Sequence, residues 1–436
     1  MILNRKSAPP IHEVRNLVLP EPRVVLLDNG IPVYVLDFPG QEIVKIEAVF
    51  RAGRPEEDKH LVSRATSRML REGTATRTGA EIAEHLDFYG GSLSVPTNLD
   101  TSNFLLFSLK KYAAELIPVF AEVLQEPVFP ETELETFRRT SVQELQVELE
   151  KVEVLAYRKI TELIFGEQHP YGYNSVPEDY AALRRSDLQQ FFDTWYHPAN
   201  VMLFASGRID DAVLNLLNRH LGQSKKTGKI PNPQSLIPNP QSAIRNPPSP
   251  IPHPQSPIKI PHPGSLQSAI KMGFRTFNRS HPDFNGLFVL NTILGGYFGS
   301  RLMTNIREKK GYTYNIYSTL DAYLYDGCFY IATEVNPGKA GATMKEILSE
   351  MKKLQETPVS DDELAMVRNY LLGMLLNGLD GPLNTSDVVR GLIVEGLSRD
   401  TFDGLVNTIR NITPIQLQGL ADRYLRPEAY WTVIAG

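Results

Sequence analysis

Apolar residues alternate with polar ones over residues 32–36 and 44–50, with turn formers between, which predicts a β-hairpin or a pair of neighbouring strands. The period then lengthens. Residues 110–125 and 130–151 read as helices, the second carrying Leu134, Phe137, Val142, Leu145 and Leu149 on one stripe of about 3.6-residue repeat. Further along, 285–294 and 301–310 read as helices, the latter stopped at Gly311, and 312–317 and 327–335 read as strands. This mixture predicts an α+β fold with mostly antiparallel sheets and helices packed on one face of each.

Residues 223–265 fit neither period. Pro-Asn-Pro-Gln-Ser and Pro-His-Pro-Gln-Ser units start at Pro231, Pro238 and Pro252, and Pro261 opens a degenerate copy. Proline fixes φ and lacks a backbone donor, so the run is excluded from helices and central strands and reads as an extended linker. An SH3-type ligand is the functional alternative, and His253 and His262 read as solvated spacers.

The flanking segments repeat one another. LQQFFDTWYHPANVMLFASG from Leu188 and LQGLADRYLRPEAYWTVIAG from Leu417 share five of twenty positions at an offset of 229, and LQEPVFPETELETFRR from Leu124 matches LQETPVSDDELAMVRN from Leu354 at 230. Two anchors at nearly one offset predict a duplication. An N-terminal domain over 1–222 and a homologous C-terminal domain over 266–436 are expected to form a clam-shell-like pair.

A chain of 436 residues is long enough for two such domains, each with its own core. Its 45 Lys+Arg against 50 Asp+Glu leave a net charge of −5, without the basic excess that nucleic-acid binding uses. Cys328 is the sole cysteine, which excludes an internal disulfide and a thiolate zinc site. No window approaches about 18 uninterrupted apolar residues, and residues 1–14 reach two prolines before any signal-like run. The expected location is the cytoplasm, without a membrane partner.

The segment LGGYFGSRLMTNIREKKGYTYNIYS, residues 294–318, resembles the signature of the second domain of pitrilysin/insulinase-type zinc peptidases, the family that includes the mitochondrial processing peptidases. LDNGIPVYV from Leu27 and YHPAN from Tyr196 extend the resemblance over nearly all of the chain outside the linker. Catalytic members are inverzincins: two His of an H-x-x-E-H helix bind zinc, the Glu is the general base, and a further Glu about 75 residues on completes the site. Counting back from Gly73-Thr74, the resemblance sets that motif on Arg64-Ala65-Thr66-Ser67-Arg68. Arginine offers zinc no lone pair, serine has no basicity to spare, and guanidiniums four residues apart repel a dication. The third ligand position falls on Glu144, expected to pair with Arg64 or Arg68 across the former metal pocket.

No metal is therefore expected in this chain. Glu81-Ile-Ala-Glu-His85 imitates the motif but lies in the following helix with the wrong ligand set, and His60 and His169 read as surface or loop histidines. A G-x-S-x-G elbow is absent and Cys328 falls in an apolar strand, which leaves a serine or cysteine hydrolase as the weakest reading.

The resemblance also points to Arg307 and Tyr314, because in heterodimeric and two-half members a matching Arg and Tyr come from the half opposite the zinc site. A guanidinium and a phenol are donors suited to a substrate carbonyl and to the oxyanion formed on it. The alternative is that Arg307 decorates a helix C-terminus while Tyr314 packs beside Tyr312 and Ile316. Gly295, Gly296 and Gly299 are expected, by the same resemblance, to border a peptide chamber; without a Gly-Lys-Ser/Thr ending they make no phosphate loop. GGSLSVPT from Gly90 occupies the family's place for an edge strand that receives extended substrate, where Pro96 removes one donor.

The resulting expectation is a non-catalytic subunit of a heterodimeric zinc endopeptidase. Its partner would be a homologous subunit that bears H-x-x-E-H and holds the zinc, and its substrate a peptide or unfolded protein. The rival is a catalytically inert peptide-binding or scaffold protein of the same fold.

Overall fold

The computed structural model describes residue 14 and residues 16–224 and 256–436; the proline units at Pro231, Pro238 and Pro252, with His253, lie outside the described residues. The first sheet contains β1 (Arg23–Leu26), β2 (Pro32–Asp37), β3 (Ile43–Phe50), β4 (Ser92–Ser94), β5 (Ser102–Leu109) and β6 (Val201–Gly207), in the order β1-β2-β6-β3-β5-β4. The second contains β7 (Ile258–Ile260), β8 (Ser268–Arg275), β9 (Ile316–Ala322), β10 (Gly327–Val335) and β11 (Trp431–Ala435), in the order β7-β11-β8-β10-β9. Without β1 the two orders correspond strand for strand. Each sheet has one parallel pair, β2 with β6 and β7 with β11, and is otherwise antiparallel.

The duplicated segments fold alike. Helices Arg185–Trp195 and Pro414–Tyr424 each lead through one 3-10 turn, Pro198–Asn200 or Pro427–Ala429, into β6 or β11. Both units end on a glycine of positive φ, Gly207 at 102° and Gly436 at 143°. A Cβ on Gly207 would stand 2.0 Å from the Ile43 carbonyl oxygen, so glycine is required there on two counts.

β2 and β3 do not form the expected hairpin. β6 lies between them, parallel to β2 and antiparallel to β3. Alternation identifies a strand but not its neighbour, and here the neighbour arrives from the end of the half. The expected strand at 312–317 begins only at Ile316, because Gly311 turns the chain at φ 63° and Thr313 donates to the Glu334 carbonyl of β10 (2.7 Å). The expected linker also ends earlier than residue 265: Ile258–Ile260 is an edge strand, a place where the following Pro261 is tolerated.

The strands show that both sheet faces are buried. Val44, Ile46, Ala48 and Phe50 of β3 face a core shared with helices Val62–Met69, Ala113–Gln125 and Arg185–Trp195. The intervening Lys45, Glu47 and Val49 are buried as well. Helix Gly381–Val394 of the second half covers that face, with Val394 against Val49 and Phe204. The reverse also holds. Helix Val152–Phe165 of the first half lays Val152, Ala156, Ile160 and Ile164, at four-residue steps, against Ala269, Cys328, Ala332 and Val433 of the second sheet. Helices were expected on one face only; each half in fact lends one helix, at the offset of the duplication, to the other's second face.

A buried lysine marks each exchange. Lys45 of β3 reaches Asp387 Oδ1 on the lent helix at 2.6 Å, and Lys271 of β8 reaches Glu153 Oε1 on the other at 3.3 Å. Arg390, one turn from Asp387, lies 3.1 Å from Glu47, whose carboxyl burial nonetheless pushes up. Such pairs add little net stability over apolar packing, but any docking that left a lysine unpaired would be penalised heavily. Leu17 and Leu19 add a further tie by burying themselves in the second core.

His169, expected as a surface or loop histidine, lies in the loop after helix Val152–Phe165 and is half-buried between the halves. Its Nδ1 accepts from the Tyr171 N–H (3.1 Å), and its Nε2 lies 3.6 Å from Asp326, which Arg275 of β8 binds. Burial and the Arg275 charge push the imidazole down to about 4. No helix among the described residues is long and apolar enough to cross a membrane.

Candidate functional site

The helix Val62–Met69 carries the degenerate motif. Arg64 and Arg68, one turn apart, point to solvent, while Ser63 and Ser67 face inward. Ser67 donates to the Ser63 carbonyl (2.9 Å) and its hydroxyl also meets Ser102 of β5 and, at 3.1 Å, Tyr196, whose phenol burial pushes up to about 12. This hydroxyl joins helix to sheet.

Glu144, on helix Glu131–Leu149, is exposed. Among the described residues no ion pair joins it to Arg64 or Arg68, so the expected charge pairing does not form. All three residues are exposed, and an exposed pair gains too little to hold long side chains in place. Nor does any group of three or more His, Cys, Asp or Glu among the described residues lie close enough to hold a metal. Two cations and a satisfied hydroxyl do not fit zinc, which needs deprotonated nitrogen, sulfur or oxygen ligands. Glu81 has a structural role: it closes a capping box with Thr78, accepting from its N–H at 2.8 Å. His60 stacks on Tyr173 with ring centroids 4.1 Å apart.

The second half presents a different surface. The expected helices there loosen into π-helical turns over Thr292–Gly296 and Met303–Lys309, a widening often found at functional sites. Arg307 sits in the second of these, just before a tight C-terminus in which the Gly311 N–H donates to the Arg307 carbonyl (3.1 Å) and the Tyr312 N–H to Ile306 (3.1 Å). Tyr314 follows between the anchored Thr313 and β9, and it is 90% exposed. The two share the wall of an open groove of about 960 Å³, together with Phe298, Glu308, Thr313 and Glu334.

The Arg307 guanidinium lies 4.5 Å from the Phe298 ring centroid, a cation–π contact that holds it without an acceptor. Among the described residues neither the Arg307 guanidinium nor the Tyr314 hydroxyl has a hydrogen-bonding partner. The packing alternative for Tyr314 therefore fails: it does not lie beside Ile316 on a strand face.

The three glycines take other roles. A Cβ on Gly295 would come within 2.5 Å of the Ser318 N, so its lack of a side chain lets the π-turn close on β9, while Gly299 admits the Tyr297 ring. None lines the groove; Phe298, between them, does. Phe298 was not singled out in the sequence, although a phenylalanine inside a glycine run has little reason to be buried. β4 is indeed the edge of the first sheet, and Pro96 lies just past it.

Residues 36–169 match the insulinase (peptidase family M16) description, and residues 182–371 match the peptidase M16 inactive domain, together more than half of the chain. A Bacillus subtilis protein described as an uncharacterized zinc protease, YmxG, is 24% identical over 92% of this chain and 95% of its own. The crystal structure of a peptidase M16 inactive domain from Pseudomonas fluorescens superposes with a TM-score of 0.80 at 21% identity, covering 95% of this chain and 98% of that one. A Helicobacter pylori protease does so with 0.85 at 17%, covering 96% and 100%. With the duplicated sheet order, the motif position held by Arg64, Ser67 and Arg68, and these matches along both halves, the chain belongs to the pitrilysin/insulinase-like peptidase M16 family.

Proposed function

We propose that this chain is the non-catalytic subunit of a heterodimeric zinc endopeptidase, inert alone, which supplies Arg307, Tyr314 and half of a peptide chamber to a homologous partner bearing H-x-x-E-H. The observation that carries this reading is the contrast between the halves. The first has no ligand set at the motif helix, whereas the second holds a guanidinium and a phenol with uncommitted donors on one open groove. In the complex both would donate to the substrate carbonyl oxygen and bond it more strongly as it becomes an oxyanion. Once the partner closes over the open groove and excludes bulk water, donors already placed there would need little reorganisation during the reaction. The lone Cys328 suits a reducing compartment, and we assign the complex to the cytoplasm.

The test is reconstitution with the H-x-x-E-H homologue from the same source on a fluorogenic peptide library, with and without chelator. The expected result is activity only for the mixture, abolished by chelator and reduced by Arg307→Ala. Zinc-dependent hydrolysis by this chain alone, or full activity with Arg307→Ala, would overturn the reading. Failure of the two chains to associate or cleave would leave a scaffold or inert peptide-binding protein.

A further inference from the structure

Helix Asp361–Asn377 buries Leu364, Val367, Leu371 and Leu372 in the second core. Its other face carries no exposed charge from residue 365 to 377. Met366, Tyr370 and Met374 follow one another at four-residue steps along it, exposed by 56, 40 and 41%. The fold does not require this. In the duplicated helix Glu131–Leu149 the matching positions are Thr136, Thr140 and Glu144, equally solvent-facing and polar. The apolar stripe therefore belongs to the second half alone.

The stripe is linked to the groove of Arg307 and Tyr314 through the consecutive residues Tyr297 and Phe298. The Tyr297 ring packs against Tyr370 at a tilt of 32°, with ring centroids 4.8 Å apart, and its hydroxyl lies 3.9 Å from the Met366 sulfur. The next residue, Phe298, is the ring beneath Arg307. We propose that Met366, Tyr370 and Met374, with Tyr297 and Phe298, form a subsite for the apolar and aromatic side chains of an extended peptide whose carbonyl is held at Arg307 and Tyr314. The proposal rests on the function proposed above and adds to it a substrate class.

Dimensions and chemistry favour a peptide over a fixed protein partner. Met366 to Met374 span about 12 Å along the helix. That is about four residues of extended chain, so two alternate side chains of one peptide can lie on the stripe. Methionine is flexible and polarisable and adapts to side chains of different shape, as surfaces that receive many sequences require. Asn369 and Asn377 offer neutral amides suited to a peptide backbone of any sequence, and between residues 365 and 377 no exposed charge selects a single register.

The experiment uses the full chain and two fluorescein-labelled peptides of equal length, one neutral and rich in Leu and Phe, the other rich in Glu and Ser, followed by anisotropy. The triple variant Met366→Thr, Tyr370→Thr, Met374→Glu installs residues that the matching helix already tolerates, and a thermal melt confirms that it folds. Expected is preference of the parent chain for the apolar peptide, weakened in the variant by about tenfold or more. In the reconstituted pair KM for the apolar peptide should rise by the same factor with kcat held. Three results overturn the subsite: a parent chain without preference, a variant that binds and is cleaved against as the parent is, or a variant that no longer associates with the partner subunit, which would make the stripe an interface. If the pair never cleaves while the chain alone binds apolar peptide through these three residues, the subunit reading falls and the subsite stands.

Discussion

Ile160 is fully buried where the first half's lent helix meets the second half's sheet. Truncation of a buried isoleucine to alanine costs about 2–5 kcal/mol, more where the surroundings cannot collapse. Here the facing residues include Ala269, Ala332 and Val433, short side chains on strands that cannot lean into the space, so we expect about 3 kcal/mol for Ile160→Ala. How that loss is shared between the halves is the sharper test. Trp195 and Trp431 are the only tryptophans, one in each half, and Trp195→Phe or Trp431→Phe leaves fluorescence reporting on a single half. With a urea dependence of about 3 kcal/mol per molar, the midpoint should fall by about 1 M. It should fall equally for both reporters, because neither half retains its second sheet face once the seam opens. A shift confined to the Trp195 reporter, or two separate transitions in the parent chain, would refute the view that the exchanged helices make the halves one cooperative body.

Three further outcomes follow from individual side chains. Arg307→Ala should lower kcat of the reconstituted pair by about 10²–10³, the effect of losing one oxyanion donor. Its melting temperature should barely move, since only an exposed cation–π contact of about 0.5–1 kcal/mol is lost. Glu56 accepts from the Gly53 N–H (2.9 Å) through Oε2, while its buried Oε1 has no partner among the described residues, and burial pushes the carboxyl from 4.5 up to about 7. A raised folded-state value means the folded chain binds the proton more tightly, so this contribution is complete below about pH 4.5 and is lost as pH rises through 7. Stability measured for the parent minus that for Glu56→Gln should therefore decline across that window; the opposing slope from the depressed His169 cancels in the difference, and parallel profiles would refute the assignment. Burial raises the Cys328 thiol, so a thiol-reactive dye should label it only in denaturant, and rapid labelling of the native chain would contradict its place in the seam.

Much of this was legible locally. Helix Glu131–Leu149 falls where the periodicity of its own residues places it, because one wet and one dry face impose a period whatever lies opposite, while strand β10 falls on a short run of mostly apolar residues that is buried on both faces. The duplication, and the absence of ligands at Arg64, Ser67 and Arg68, follow from residue identity alone. Partners distant in the chain were not legible. Nothing around residues 32–50 says that β6 will divide β2 from β3. Lys45 falls on the polar positions of the alternating segment 44–50, yet it is buried, as is Lys271, because the carboxylates that satisfy them, Asp387 and Glu153, arrive on helices from the opposite half. Period two assigns side chains to two faces, but only the assembled chain decides what covers the second. For the same reason Met366, Tyr370 and Met374 look in sequence like further core positions. Tertiary structure leaves them exposed on the outer face of the helix, with Tyr297 against Met366 and Tyr370, since Leu364, Val367 and Leu371 already fill the side of the helix that the core can reach.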